Sequence, residues 1–103
     1  MIARTWKGRA LREKADDYQR HFETAVAANL NSIPGNRGAQ LLRRDDGHEV
    51  EFIAITFWDS LETIKAFAGD NPDVAHIEPE GMAALSSFDD LATHHQVAYV
   101  LRR

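Results

Sequence analysis

The chain has 103 residues, no cysteine, 44% hydrophobic and 27% charged residues, and a formal net charge of −4. That length holds one core, so a single domain over residues 1–103 is expected, and the absence of thiols excludes a disulfide framework or a thiolate metal site. The acidic balance argues against nucleic acid, and the chain has neither a membrane-length apolar run nor a signal h-region, so a cytoplasmic protein is expected.

Ile2 to Lys7 carries Ile, Thr and Trp, runs into Gly8, and reads as a first strand. Leu11, Ala15, Tyr18, Phe22, Val26 and Leu30 then recur in steps of three and four. They form one stripe of a helix over about residues 12–30, with Glu13, Lys14, Asp17, Arg20 and Glu23 toward water and no strong cap at its start. Ser32-Ile33-Pro34-Gly35-Asn36 breaks that helix. A second strand is expected at about 38–44, and Asp45-Asp46-Gly47 supplies a hairpin turn.

The third strand, about His48 to Trp58, is apolar at nearly every position from 52 to 58. A strand apolar on both faces is covered on both, and so is central in its sheet. Asp59 and Glu62 have capping-box spacing, and Ser60 is an equal candidate for the cap. Leu61, Ile64, Phe67 and Ala68 make the buried stripe of a second helix that Gly69 ends. Asn71-Pro72 resembles an N-cap followed by an N1 proline, which predicts a short helix through Ile77. Pro79 breaks it, Glu80 to Leu85 reads as another turn or two of helix, and Thr93 to Leu101 reads as the last strand.

The order is the split β-α-β-β-α-β pattern of an α+β, ferredoxin-like fold. Its four-stranded antiparallel sheet has the first and third strands in the middle. Two helices cover only one face of such a sheet. A second copy of the chain is the simplest cover for the other, which predicts a homodimer packed sheet to sheet.

Pro34-Gly35-Asn36-Arg37-Gly38-Ala39, Asp45-Asp46-Gly47, and Phe57-Trp58-Asp59-Ser60-Leu61-Glu62 with Phe67 together resemble the antibiotic biosynthesis monooxygenase family over nearly the whole chain. The resemblance implies a dimeric α/β barrel with a pocket between each sheet and its helices. It also implies an activity such as cofactor-free oxidation of anthrones or quinols, or haem breakdown. Of the pocket residues of anthrone-oxidising members, the tryptophan matches Trp58, while the asparagine and tyrosine positions fall on Ala54 and Ile64. Of those of haem-degrading members, the first-strand asparagine falls on Thr5, the helix tryptophan on Phe67, and the haem-ligating histidine within one residue of His76.

His76 is the candidate base, an imidazole flanking the implied pocket; its plain alternative is a half-exposed residue at a helix end. The expected pocket residues are Trp58, Phe67, Phe22, Thr5 and His94. Trp58 and Trp6 could wall a planar ligand or simply belong to the core, and His94 could enter the pocket or serve structure. His94 and His95 alternate across a strand and cannot share one metal. His21 and His48 read as surface residues, and Glu78-Pro79-Glu80 as a solvated loop. No metal motif or phosphate loop occurs, so neither metal nor cofactor is expected.

The leading functional expectation is a cofactor-independent monooxygenase acting on an electron-rich phenolic or quinol-type molecule. The alternatives are a ligand-binding or stress-response dimer that holds a small hydrophobic or aromatic ligand without transforming it, and a dimeric partner-binding scaffold without a pocket. Haem degradation ranks below the first two.

Overall fold

The computed structural model describes residues 1–103, and its sheet is built outward from two ten-residue strands. β1 (Ile2–Leu11) pairs antiparallel with β3 (Glu49–Trp58) along their full lengths, from Ile2 opposite Trp58 to Leu11 opposite Glu49. β2 (Asn36–Asp46) flanks β3 on the other side, with a bulge between Asn36 and Ala39. β1 and β3 are thus central, as the apolar run predicts. The fold is the α+β ferredoxin-like one.

β1 continues through Gly8, where the sequence suggests a stop. A Cβ at that position would lie 2.7 Å from the Trp6 ring, so the glycine gives the indole room along the strand. β1 runs directly into a helix with no side-chain cap. The hairpin turn supplies the missing acceptors: Arg12 donates from its backbone N–H to His48 O (3.1 Å) and from Nε to Gly47 O (2.8 Å).

The first helical rod comprises α1 (Arg12–His21), a π-helical turn (Phe22–Val26) and α2 (Ala27–Asn31). The π turn has a sequence cause. Tyr18, Phe22, Val26 and Leu30 follow one another in steps of four, and three such steps overshoot an ideal α-helical face by about 120°. One wide turn absorbs an extra residue and returns the stripe to the sheet.

α3 (Leu61–Ala68) is capped by Ser60, whose Oγ accepts from Thr63 N while Thr63 Oγ1 accepts from Ser60 N. Asp59, the other candidate, instead pairs with Arg37. The short helix expected from Asn71 to Ile77 does not form. That stretch is bound to the sheet edge, with Ala75 N donating to Asp90 O (2.9 Å) and Ala92 N to Asp73 O (2.8 Å). Pro79 does not break a helix but opens α4 (Pro79–Ala84), since an N1 proline lacks only an N–H that would be unpaired there anyway.

The expected last strand, Thr93 to Leu101, is also corrected. The fourth position in the sheet is shared by β4 (Ser87–Phe88) and β5 (Thr93–Gln96), both antiparallel to β1. Between the paired stretches β1 has two residues, Trp6 and Lys7, and the outer strand has four, Asp89 to Ala92. The excess loops out to meet residues 73–75. β5 ends at Gln96, opposite Ile2, the first residue of β1, and one further backbone bond runs from Val97 N to Met1 O.

Helices cover one face of the sheet. Beneath them lie a core around Trp6, Tyr18, Phe22, Val50 and Phe52, and a second one of Leu30, Trp58 and Ile64. The face without helices carries Ala3, Thr5, Leu42, Ile53, Ile55 and Phe57. No helix is long and apolar enough to cross a membrane.

Candidate functional site

A cavity lies between the sheet and the helices, with contributions from β1, the α1–π rod, β3, α3 and the 69–78 connection. Alternation along β1 sends Arg4 and Trp6 into it, and β3 contributes Ala54 and Thr56 from the same face. Tyr18, His21, Phe22 and Val26 come from the rod. Phe67 comes from α3, and His76, Ile77 and Glu78 precede α4, which adds Gly81. The aromatic rings are packed: Trp6 stands 6.4 Å from Tyr18, and Tyr18 stands 4.9 Å from Phe52 beneath it.

The polar groups of the wall differ in kind. Trp6 Nε1 is satisfied by Asp89 O at 2.8 Å. Tyr18 is buried, and desolvation pushes its phenol up to about 12, so it stays a neutral hydroxyl at physiological pH. His76 is exposed at the rim, its ring edge-on to Phe67 at 5.6 Å and 70°. Arg4 is only 5% exposed. Its Nη2 donates to Val74 O (3.0 Å) and its Nε to Pro72 O (3.4 Å), and its guanidinium carbon lies 5.7 Å from the centroid of Phe67. Burial lowers its pKa from the usual guanidinium value, with Asp73 pulling the other way, yet a guanidinium remains a cation.

The cavity holds about 50 Å³, space for a water or two rather than the roughly 300–1,000 Å³ of a typical small-molecule site. A phenol-sized ligand therefore requires one wall to yield. The 69–78 connection, which forms no helix or strand, supplies three of the lining residues, His76, Ile77 and Glu78.

Of the residues expected in the pocket, His76, Phe67 and Phe22 are brought together there. Three are not. Trp58 is fully buried in the second core, and its neighbour Phe67, 5.8 Å away, is the ring that faces the cavity. Thr5 points to the helix-free face, opposite Ile55, because parity along β1 gives the cavity to its neighbours Arg4 and Trp6. His94 shares the helix side with Arg4, its partner in register, but lies outside the cavity wall. Its Nδ1 is 3.3 Å from Asp73 Oδ1, and its Nε2 is buried without a hydrogen bond. Burial and then the Arg4 cation lower its pKa, against a weaker opposing pull from Asp73.

The sequence reading missed Arg4 and His21. Arg4 shares strand parity with Ile2 and Trp6, and that was its available signal. His21, expected on the surface, has a side chain only 10% exposed, with Nδ1 3.9 Å from Glu80 Oε2. It lies three residues after Tyr18 on the same face of α1, and Phe22 follows it as the first residue of the π turn. Glu78 lines the cavity as well, so the Glu78-Pro79-Glu80 stretch is not wholly solvated. His21, Glu78 and Glu80 place donor atoms within 4.8 Å of one another, a set that a divalent cation could use. The cavity counts against the pocketless scaffold, although its indole belongs to Trp6 rather than Trp58.

The family model described as "Antibiotic biosynthesis monooxygenase" matches residues 1–73. Comparison with curated proteins finds no match. Among solved structures, the chain is similar to a point mutant of MhuD with two manganese protoporphyrin IX bound per active site, at 19% identity and a TM-score of 0.71, covering 100% of both chains. It is also similar to MhuD from Mycobacterium tuberculosis, described as a heme-degrader with two hemes bound in its active site. There the identity is 19% and the TM-score 0.66, covering 99% of this chain and 100% of that one. At such identity the likeness is one of fold.

Proposed function

This chain belongs to the antibiotic biosynthesis monooxygenase family, and on that premise we propose that it is a monooxygenase acting on an electron-rich phenolic or quinol-type small molecule without a bound cofactor. One observation carries the reading: the His76 imidazole stands at the rim of a cavity walled by Phe67, Trp6, Tyr18 and Phe22. His76 takes the proton of the substrate hydroxyl, and the resulting anion reacts directly with dioxygen. For a quinol, one oxygen atom enters the product as a hydroxyquinone and the other leaves as water, with all four electrons coming from the substrate. The chain orients the ring, excludes water, and offers the neutral Tyr18 hydroxyl as a donor.

The test is oxygen uptake across a panel of quinols, anthrones and flavonols, with haem titrated in parallel. Turnover is expected, and His76→Ala should lower kcat by about 10²–10⁴, the usual contribution of a general base. An unchanged rate in that variant would remove His76 from the mechanism. Haem ligation through His76 would instead move the chain toward the chemistry described for MhuD.

The second reading is a binder of a small aromatic ligand without catalysis. It is favoured by the lack of any hydrogen bond that orients the His76 ring within the chain, a partner that catalytic imidazoles commonly have. Binding with no oxygen uptake would select it.

The same proposal pairs two copies through the helix-free face, where Ile53, Ile55 and Phe57 are only half-buried and Leu42 is 46% exposed. Sedimentation equilibrium should give twice the mass of one chain; a single-chain mass across micromolar concentrations would overturn the pairing.

A further inference from the structure

We propose that Arg4 is the counter-ion for an anionic ligand group, so that the cavity selects small aromatic molecules bearing a carboxylate or phenolate. The inference rests on the reading that this cavity is the ligand site, and it adds the charge of the ligand.

Buried charges in proteins are paired, because an ion removed from water without an opposite charge loses its hydration with nothing to offset it. Arg4 departs from that pattern. Its guanidinium is almost wholly buried on the cavity wall, and both its hydrogen bonds go to neutral backbone carbonyls, those of Pro72 and Val74. No carboxylate lies within 4 Å of it, although every other arginine from Arg9 to Arg44 has one.

Its charged and titratable neighbours do not substitute. Asp73 acts on Arg4 only at a distance: its carboxylate is turned to His94, with 3.3 Å between Oδ1 and Nδ1, and its side chain is 70% exposed. His94 sits beside Arg4 in register and is held toward its neutral form. Glu78 also lines the cavity, but its carboxylate groups with His21 and Glu80 instead.

Nη1 of Arg4 makes no hydrogen bond within the chain, which leaves part of the guanidinium fork for an incoming oxygen anion. Phe67 lies 5.7 Å from the same guanidinium and supplies an apolar surface next to it. A cation beside aromatic walls is complementary to a ring that carries a negative group.

Benzoate and benzamide are a matched pair of probes, equal in size and differing in charge. By isothermal titration, wild type should bind benzoate at least about tenfold more tightly than benzamide, the scale of one charge-assisted hydrogen bond. Arg4→Met should bring the ratio to about one, and Arg4→Lys should retain a preference. In wild type, benzoate but not benzamide should shift the Arg4 Nε–Hε resonance in an NMR titration, a readout that stands even if Arg4→Met fails to fold.

Equal affinity for the two probes, no binding of benzoate, or a preference retained in Arg4→Met would each overturn the proposal. Oxygen uptake separates it from the catalytic reading. Charge-selective binding without turnover leaves this inference standing and removes the monooxygenase, whereas turnover without charge selectivity does the reverse.

Discussion

The Trp58 indole nitrogen donates a 2.8 Å hydrogen bond to Thr56 Oγ1, two residues back along β3, with both side chains buried. Strand alternation puts positions 56 and 58 on one face, so a local spacing satisfies the polar atom of the largest side chain in the second core. Thr56→Val keeps the shape and removes the acceptor. It should cost about 1–3 kcal/mol in urea unfolding, while Thr56→Ser should cost less. A Thr56→Val protein as stable as wild type would mean that the indole finds another acceptor.

Gly35 lies at φ +91°, where an L side chain is strained, and a Cβ there would collide with Thr63 Cγ2. Its carbonyl also accepts from Asp59 N at 2.8 Å, so the turn cannot readily move away. Gly35→Ala should destabilise by more than about 2 kcal/mol. Adding Thr63→Ser keeps the capping hydroxyl and deletes the clashing methyl. The double variant should recover part of that loss, and a double variant no more stable than Gly35→Ala would show that the methyl contributes nothing.

His94 gives stability a defined pH dependence. Burial and the Arg4 cation hold its pKa below the ordinary 6.5, with Asp73 opposing and His95 adding a little to the depression. The unfolded chain then takes up this proton at a higher pH than the folded one. The His94 contribution is therefore fully present above about pH 6.5 and is lost as pH falls through the folded pKa. Urea midpoints should fall between pH 7 and 5, and His94→Gln should flatten that fall. An equal slope in the variant would assign the dependence to other groups.

Much of the fold was legible because its signals are local. The apolar run of Phe52 to Trp58 marked a central strand, the stripe from Leu11 to Leu30 a helix, and Asp45-Asp46-Gly47 a hairpin, each from a repeat or turn chemistry within a few residues. Where the sequence reading failed, long-range pairing intervened. Residues 71–77 look like a capped helix but bind the sheet edge, and the strand expected to reach Leu101 ends at Gln96, opposite Ile2, the first residue of its partner strand.

The sequence by itself determined the element order, the family resemblance and three of the cavity residues, His76, Phe67 and Phe22, and it offered Trp6 as either wall or core. Tertiary structure alone decided the rest of the wall. The pairing register of β1 sets which parity faces the helices, so Arg4 lines the cavity and Thr5 does not. α4 packs Gly81 against His21 and so closes that side chain into the wall, and Phe67 comes between the cavity and Trp58, which is left to the core. A side chain's type is written locally; the face it reaches depends on which distant backbone its strand or helix packs against.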